Sequence, residues 1–174
     1  MIFILPIEVK IREFLSKIFF AYKLIENGHK VIIGPQRDIP QNISKIKNCY
    51  WFDKNSYINK IKDKQSMQYK NFNYIGMLDE EGPVAFFNNI ALKTRYPKEV
   101  EDFFNYIFLW GKKDLLKLKY ISKKKLFLIG NPKYDLLKYP YLNIWNDEVR
   151  NIKKKFKKII LFNSIFRVKK DKNH

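Results

Sequence analysis

The first 35 residues leave this chain little choice of architecture. Ile2 to Leu5 is an uninterrupted apolar run, the pattern of a strand buried on both faces, and Pro6 closes it. From Ile11 onward, Ile11, Phe14, Leu15, Ile18, Tyr22 and Ile25 recur at helical spacing, and Gly28 behind Asn27 supplies a stop. These positions predict an amphipathic helix of about four turns. Val31 to Ile33 is a second short apolar run, ended by Gly34 and Pro35. Strand, helix and strand in so short a span make one crossover unit with two parallel strands.

The alternation continues with less regularity. Asn48 to Phe52 reads as a third strand, and Asp53 or Asn55 can cap a polar helix to about Lys70. Phe72 to Leu78 returns as a strand, and Tyr106 to Trp110 is a further apolar run. A Lys/Leu-rich helix from Lys112 to Ile121 and a strand from Leu126 to Ile129 follow, with Gly130, Asn131 and Pro132 as the break. Asp135 to Leu137 fits one helical turn, Asn146 to Phe156 a helix with basic last turns, and Ile159 to Phe162 a final buried-type strand. The fold class expected is α/β: an open, mostly parallel sheet with helices on both faces. In such sheets ligands bind beyond the carboxyl ends of the strands. The informative loops are therefore Pro6 to Arg12, Gly34 to Asp38, Asp79 to Pro83, Trp110 to Lys112 and Gly130 to Asp135.

Composition narrows the function classes. The 174 residues suffice for one domain with a real core. A single cysteine, Cys49, makes no internal disulfide, and with two histidines it builds no Cys/His zinc cluster, so a reducing compartment and no metal are expected. The leading apolar run, broken by Glu8, Lys10 and Arg12, is too short for a signal segment or a spanning helix. The expected location is the cytoplasm, with a peripheral position at the inner face of the membrane as a further option. The net charge of +18 is unevenly spread: residues 112–174 hold 19 basic and 5 acidic groups, residues 1–111 hold 16 and 12. Only 5 of the 35 basic residues are Arg, and with 16 Asn this resembles a base-composition bias of the coding DNA as much as a binding signal.

Three segments carry candidate chemistry. Asp79, Glu80 and Glu81 form an acidic trio behind a strand. Adjacent like charges raise a carboxyl pKa and suit a general base, or the trio is a solvated turn closed by Gly82-Pro83. The loop from Glu8 to Arg12 opens a helix whose N-terminal N–H groups suit a phosphate or carboxylate, with Arg12 as a bidentate clamp. The alternative there is an i, i+4 pair between Glu8 and Arg12. Asn131, ahead of Pro132, is held extended, so its amide has a fixed direction, though such a segment also serves simply as a turn. Trp110 reads as a core aromatic beside a helix start, and His29 as a surface or capping histidine. Neither GxGxxG nor a Walker lysine motif occurs, so no nucleotide cofactor is expected in this chain.

Taken in order, these motifs resemble a known family. Pro6-Ile7-Glu8 with Arg12-Glu13, Gly28-His29-Lys30 with Gly34, Asp79-Glu80-Glu81-Gly82, Trp110-Gly111 and Gly130-Asn131-Pro132-Lys133-Tyr134-Asp135 are similar to the amino-terminal half of bacterial surface carbohydrate biosynthesis proteins. These look like members of the GT-B glycosyltransferase group. The resemblance spans about residues 1–166, with Lys133-Tyr134 standing where Arg-Phe is usual and Ile165 where a second Asn is usual. It implies a Rossmann-like acceptor-side domain over residues 1–145, and over 146–174 an interdomain helix and the first strand of a donor-binding domain. It further implies Asp79, Glu80 or Glu81 as base, Glu8 and Arg12 orienting a saccharide or glycolipid acceptor, Asn131 at the interdomain cleft, and Trp110 and Asp135 as further substrate-binding residues. The nucleotide-sugar donor would need the carboxyl-terminal half, so little or no transferase activity is expected of this chain alone.

A rival from another class is a small basic module for nucleic acid or an anionic membrane, driven by the carboxyl-terminal third. Nucleic-acid modules interleave aromatics with Arg, and this third has only Arg150 and Arg167, so nucleic acid is not the expected partner.

Overall fold

The computed structural model describes residues 1–39, 46, 48–54, 72–75 and 82–161. Strand β1 (Ile2–Ile7) lies between β2 (Lys30–Pro35) and β3 (Cys49–Phe52), and β3 pairs in turn with β4 (Phe72–Ile75). All pairings are parallel, with Ile4 opposite Ile32 on one side and Trp51 on the other. A second parallel pair joins β5 (Ile107–Leu109) to β6 (Leu126–Leu128). The protein is thus α/β with small parallel sheets, as the run of apolar segments predicts.

Period-two alternation sorts the strand side chains into two cores. Ile4, Cys49 and Trp51 join Ile107 and Leu109 in one cluster; Phe3, Leu5 and Phe52 join Phe108 and Trp110 in the other. Helix α1 (Lys10–Glu26) covers the second cluster through Phe20, Ala21 and Leu24. The first is covered by a segment for which the sequence pattern offered no element. A 3-10 turn at Val84–Phe86, helix α2 (Asn89–Arg95) and the single turn α3 (Val100–Phe103) deliver Val84, Leu92, Tyr96, Val100 and Phe104. Helices of seven and four residues are too short for a helical period to show, although Asn88 caps α2 by accepting from Ala91 N at 2.8 Å. Helices therefore lie on both faces. Helix α4 (Lys112–Lys117) is shorter than expected, giving way to a turn at Leu118, and α5 (Pro132–Asp135) starts earlier than expected, with Pro132 in its first turn.

The helix α1 is where sequence and structure part. Its apolar stripe does not face the sheet: Ile11, Ile18, Tyr22 and Ile25 are 95, 42, 52 and 58% exposed. The buried side is Glu13, Lys17 and Ala21. Small Ala21 allows close approach to the strands, while Glu13 and Lys17 are drawn inward by partners outside the helix, including the Pro6 carbonyl that accepts from Lys17 Nζ. Tertiary hydrogen bonds, which periodicity cannot reveal, set the rotation.

Two compact units divide the chain, Met1–Leu137 and Lys138–His174. In the second, a 3-10 turn at Tyr141–Trp145 runs into α6 (Asn146–Lys155). The final strand expected at Ile159 to Phe162 does not form over its described part. Ile159, Ile160 and Leu161 carry no strand pairing and are 59, 96 and 80% exposed, because no neighbouring strand among the described residues takes their N–H and C=O groups. The helix expected up to Lys70 lies outside the described residues beyond Lys54, as does Gly76 to Leu78 of the expected fourth strand.

The rotation of α1 separates two substitutions. Ala21→Lys should cost about 2–4 kcal/mol in urea unfolding, by overpacking and burying an unpaired charge, and Ile18→Lys less than about 1 kcal/mol. The opposite order would return the apolar stripe to the core.

Candidate functional site

The strand order β2-β1-β3-β4 reverses direction at β1, so the loops after β1 and β3 diverge and leave a crevice at the carboxyl ends of the sheet. Glu13 sits at its base, fully buried one turn inside α1. Its carboxylate reaches back to accept from Glu8 N at 3.0 Å and Val9 N at 2.8 Å. Lys54, just after β3, donates to Glu13 Oε1 at 2.8 Å and pairs with Glu8 Oε2 at 2.8 Å. Lys17 lies 3.4 Å from Glu13 on the other side.

Electrostatics follow from this geometry. Burial alone would raise the Glu13 pKa, but the Lys54 bond, the two backbone N–H groups and the Lys17 charge overcome it and pull the group from 4.5 to about 2. Burial would lower the Lys54 pKa, and its bonds to Glu13 and Glu8 raise it instead. Both groups stay charged across the physiological range.

One sequence expectation changes here. At the amino-terminal end of α1 the chain's own Glu13 carboxylate takes the N–H groups of Glu8 and Val9, just ahead of the first helical residue. Glu8 pairs with Lys54 and not with Arg12, because the buried ammonium at the end of β3 is the stronger, pre-positioned partner. Arg12 is exposed and makes no ion pair among the described residues.

Arg12 instead lines a small, partly open cleft of about 40 Å³, together with Ser16, Phe20, Phe52, Asn131 and Lys133. Phe20 and Phe52, with rings 5.0 Å apart, make its apolar part. Asn131 arrives from the loop after β6. Its backbone is extended (φ −129°, ψ 123°), as the following proline demands, and its Oδ1 caps α5 by accepting from Lys133 N at 2.9 Å. The Nδ2 end is left to the cleft. Trp110 and Tyr134 meet edge to face at 5.3 Å, and Asp135 ends α5. On the β2 side of Glu8 a more open cleft is lined by Gln36, Arg37 and Asp38.

Of the residues expected from sequence, Arg12 and Asn131 therefore share one cleft, with Glu8 at its margin through Lys54. Asp79, Glu80 and Glu81 lie outside the described residues. The sequence reading missed Lys54, Lys17, Phe20 and Phe52. Lys54 had one signal, its place just after the apolar strand ending at Phe52, where ligand-facing residues gather. His29 packs against Phe3 at 5.1 Å, and Cys49 is a buried free thiol pushed up to about 11 by desolvation. No group of three or more His, Cys, Asp or Glu that could hold a metal occurs among the described residues, and none of their helices is long and apolar enough to cross a membrane.

Comparisons with protein-family models, with curated proteins and with solved structures find no match for this chain.

Because the Glu13 pKa is depressed in the folded state, its stabilisation is complete above pH 4.5 and disappears as pH falls through about 2. The shift corresponds to about 3 kcal/mol. Urea unfolding of wild type should lose that amount between pH 4.5 and 2, and Glu13→Gln should remove this part of the slope while costing about 3–5 kcal/mol at pH 7. Parallel pH profiles for the two proteins would show that Glu13 is not the linked group.

Proposed function

We propose that this chain is the acceptor-binding half of a glycosyltransferase-like protein of surface carbohydrate synthesis, with the Rossmann-like topology of a GT-B amino-terminal domain. The observation that carries the reading is the cleft at the reversal point of the parallel sheet, where Arg12, Lys133 and the Asn131 amide converge beside Phe20 and Phe52. Two cations without ion-pair partners among the described residues, an amide donor and an apolar wall suit a saccharide carrying a phosphate or carboxylate. Lys54 and Lys17 do not add to that field in full, since Glu13 and Glu8 neutralise them.

In sugar transfer the acceptor hydroxyl attacks the anomeric carbon of the donor, its proton passes to a base, and the nucleotide phosphate departs. On this reading the cleft anchors the acceptor's anionic group, and one of Asp79, Glu80 and Glu81 takes the proton. The groups that neutralise the leaving phosphate belong to a second, nucleotide-sugar-binding domain of the family pattern. Holding the acceptor in register is then this half's contribution to rate, through orientation.

The reading is tested by NMR titration with glucose 1-phosphate and with glucose. We expect amide shifts around Arg12, Asn131 and Lys133 with the phosphate only, and Arg12→Ala to weaken binding by about tenfold or more, the worth of a charge-assisted hydrogen bond. Equal responses to both sugars, or none to either, would remove the anionic-acceptor reading. The 174-residue chain alone should show no transfer from nucleotide sugars; detectable transfer would contradict the division of labour.

A further inference from the structure

Helix α6 (Asn146–Lys155) poses a separate question, since all ten of its residues are exposed. An isolated helix this short is marginal in water. What local support it has is electrostatic. Asp147 and Glu148 lie in its first turn, Lys153, Lys154 and Lys155 in its last, and Arg150 pairs with Asp147. Yet Val149, Ile152 and Phe156 recur at i, i+3 and i+7 and share one side, 42, 47 and 49% exposed. Beyond the helix, Ile159, Ile160 and Leu161 extend the uncovered apolar surface.

Charge distribution points to what covers this surface. Between residues 153 and 158 stand five lysines around Phe156, and Lys155 Nζ lies 5.4 Å above the Phe156 ring. The two acidic residues sit at the opposite end of the helix. A narrow apolar stripe that ends in clustered lysines and aliphatic residues matches the boundary of an anionic bilayer: the apolar groups enter the acyl region and the ammonium groups reach the phosphates. A nucleic-acid groove would use the lysines and leave Ile159, Ile160 and Leu161 in water. Arg150, the single arginine of residues 138–161, is already paired with Asp147.

We propose that the segment from Asn146 to Leu161 docks the protein on anionic lipid membranes, with Phe156, Ile160 and Leu161 inserted at the interface and Lys153–Lys158 held by lipid phosphates. Lipid docking needs none of the cleft residues Arg12, Asn131 and Lys133.

The test is flotation of the full 174-residue chain with vesicles of phosphatidylcholine alone or with 30% phosphatidylglycerol as a chosen composition, on the order of one anionic lipid in three. Wild type should float with the anionic vesicles only, and rising salt should release it. Lys154→Ala with Lys157→Ala should lower the partition coefficient by about thirtyfold, and Phe156→Ser should lower it several-fold. Because these side chains are exposed, far-ultraviolet circular dichroism and the urea midpoint should stay at wild-type values. Failure to float with anionic vesicles, equal flotation with neutral ones, or variants that float like wild type would each overturn the proposal. So would preferential capture by a duplex oligonucleotide in competition, or a stable dimer in which this segment is covered by a second copy.

Discussion

Everything around the crevice depends on a carboxylate buried where a helix begins. Glu13 satisfies the N–H groups of Glu8 and Val9, which α1 leaves without intrahelical partners, and so fixes how the chain turns from β1 into the helix. The same device recurs after β5. Asp114, also buried, accepts from Trp110 N at 2.9 Å and Gly111 N at 3.2 Å, and from Ala85 N at 2.9 Å across the fold. After β6, Asn131 performs the task with a neutral oxygen. Three strand-to-helix turns are thus closed by side-chain acceptors, each of which spares the backbone an unpaired donor in a part-buried setting.

Only Glu13 among these three has charged partners at hydrogen-bonding distance, and that difference sets the electrostatics of the crevice. A buried carboxylate with two lysines beside it remains ionised, and it holds Lys54 at the carboxyl end of β3. Glu8 adds a second contact to the same ammonium. The pair of loops at the topological reversal is thereby fastened together by charge, while Phe20 and Phe52 meet alongside with tilted rings. Removing one member would strand the others in a low-dielectric setting, which is why such clusters tolerate substitution poorly.

The cost of this arrangement appears on the opposite side of α1. Turning Glu13 and Lys17 inward turns Ile11, Ile18, Tyr22 and Ile25 outward, so the most apolar stripe of the helix meets solvent. Lys10 over Phe14 and Lys23 over Tyr22, at 5.6 and 5.1 Å, shield part of it. Polar satisfaction outweighs apolar burial here because a buried carboxylate stripped of its partners costs more than an isoleucine left half in water.

Local chemistry made much of the fold legible. β1, α1, β2 and β3 announce themselves because continuous apolar runs, helical spacing and Gly or Pro breaks are properties of neighbouring residues. The extended backbone of Asn131 was equally readable, since Pro132 imposes it by sterics. The α2 and α3 segment was not legible, because helices of seven and four residues are too short for a periodic apolar pattern to build up. Nor was the rotation of α1, which is set by Lys54, 41 residues from Glu13 in the chain. The cleft lies between these cases: Arg12 and Asn131 could be picked out singly, but their meeting beside Phe20 and Phe52 required the ends of β1 and β3 in one sheet and of β6 in the other to come together. The sequence by itself determined β1, β2, β3, β5 and β6 and the turns that follow them, whereas its apolar run at Ile159 to Leu161 pairs with no strand among the described residues. Tertiary structure alone decided which face of α1 is inside and which loop residues share a site, because both rest on charge and hydrogen-bond partners distant along the chain.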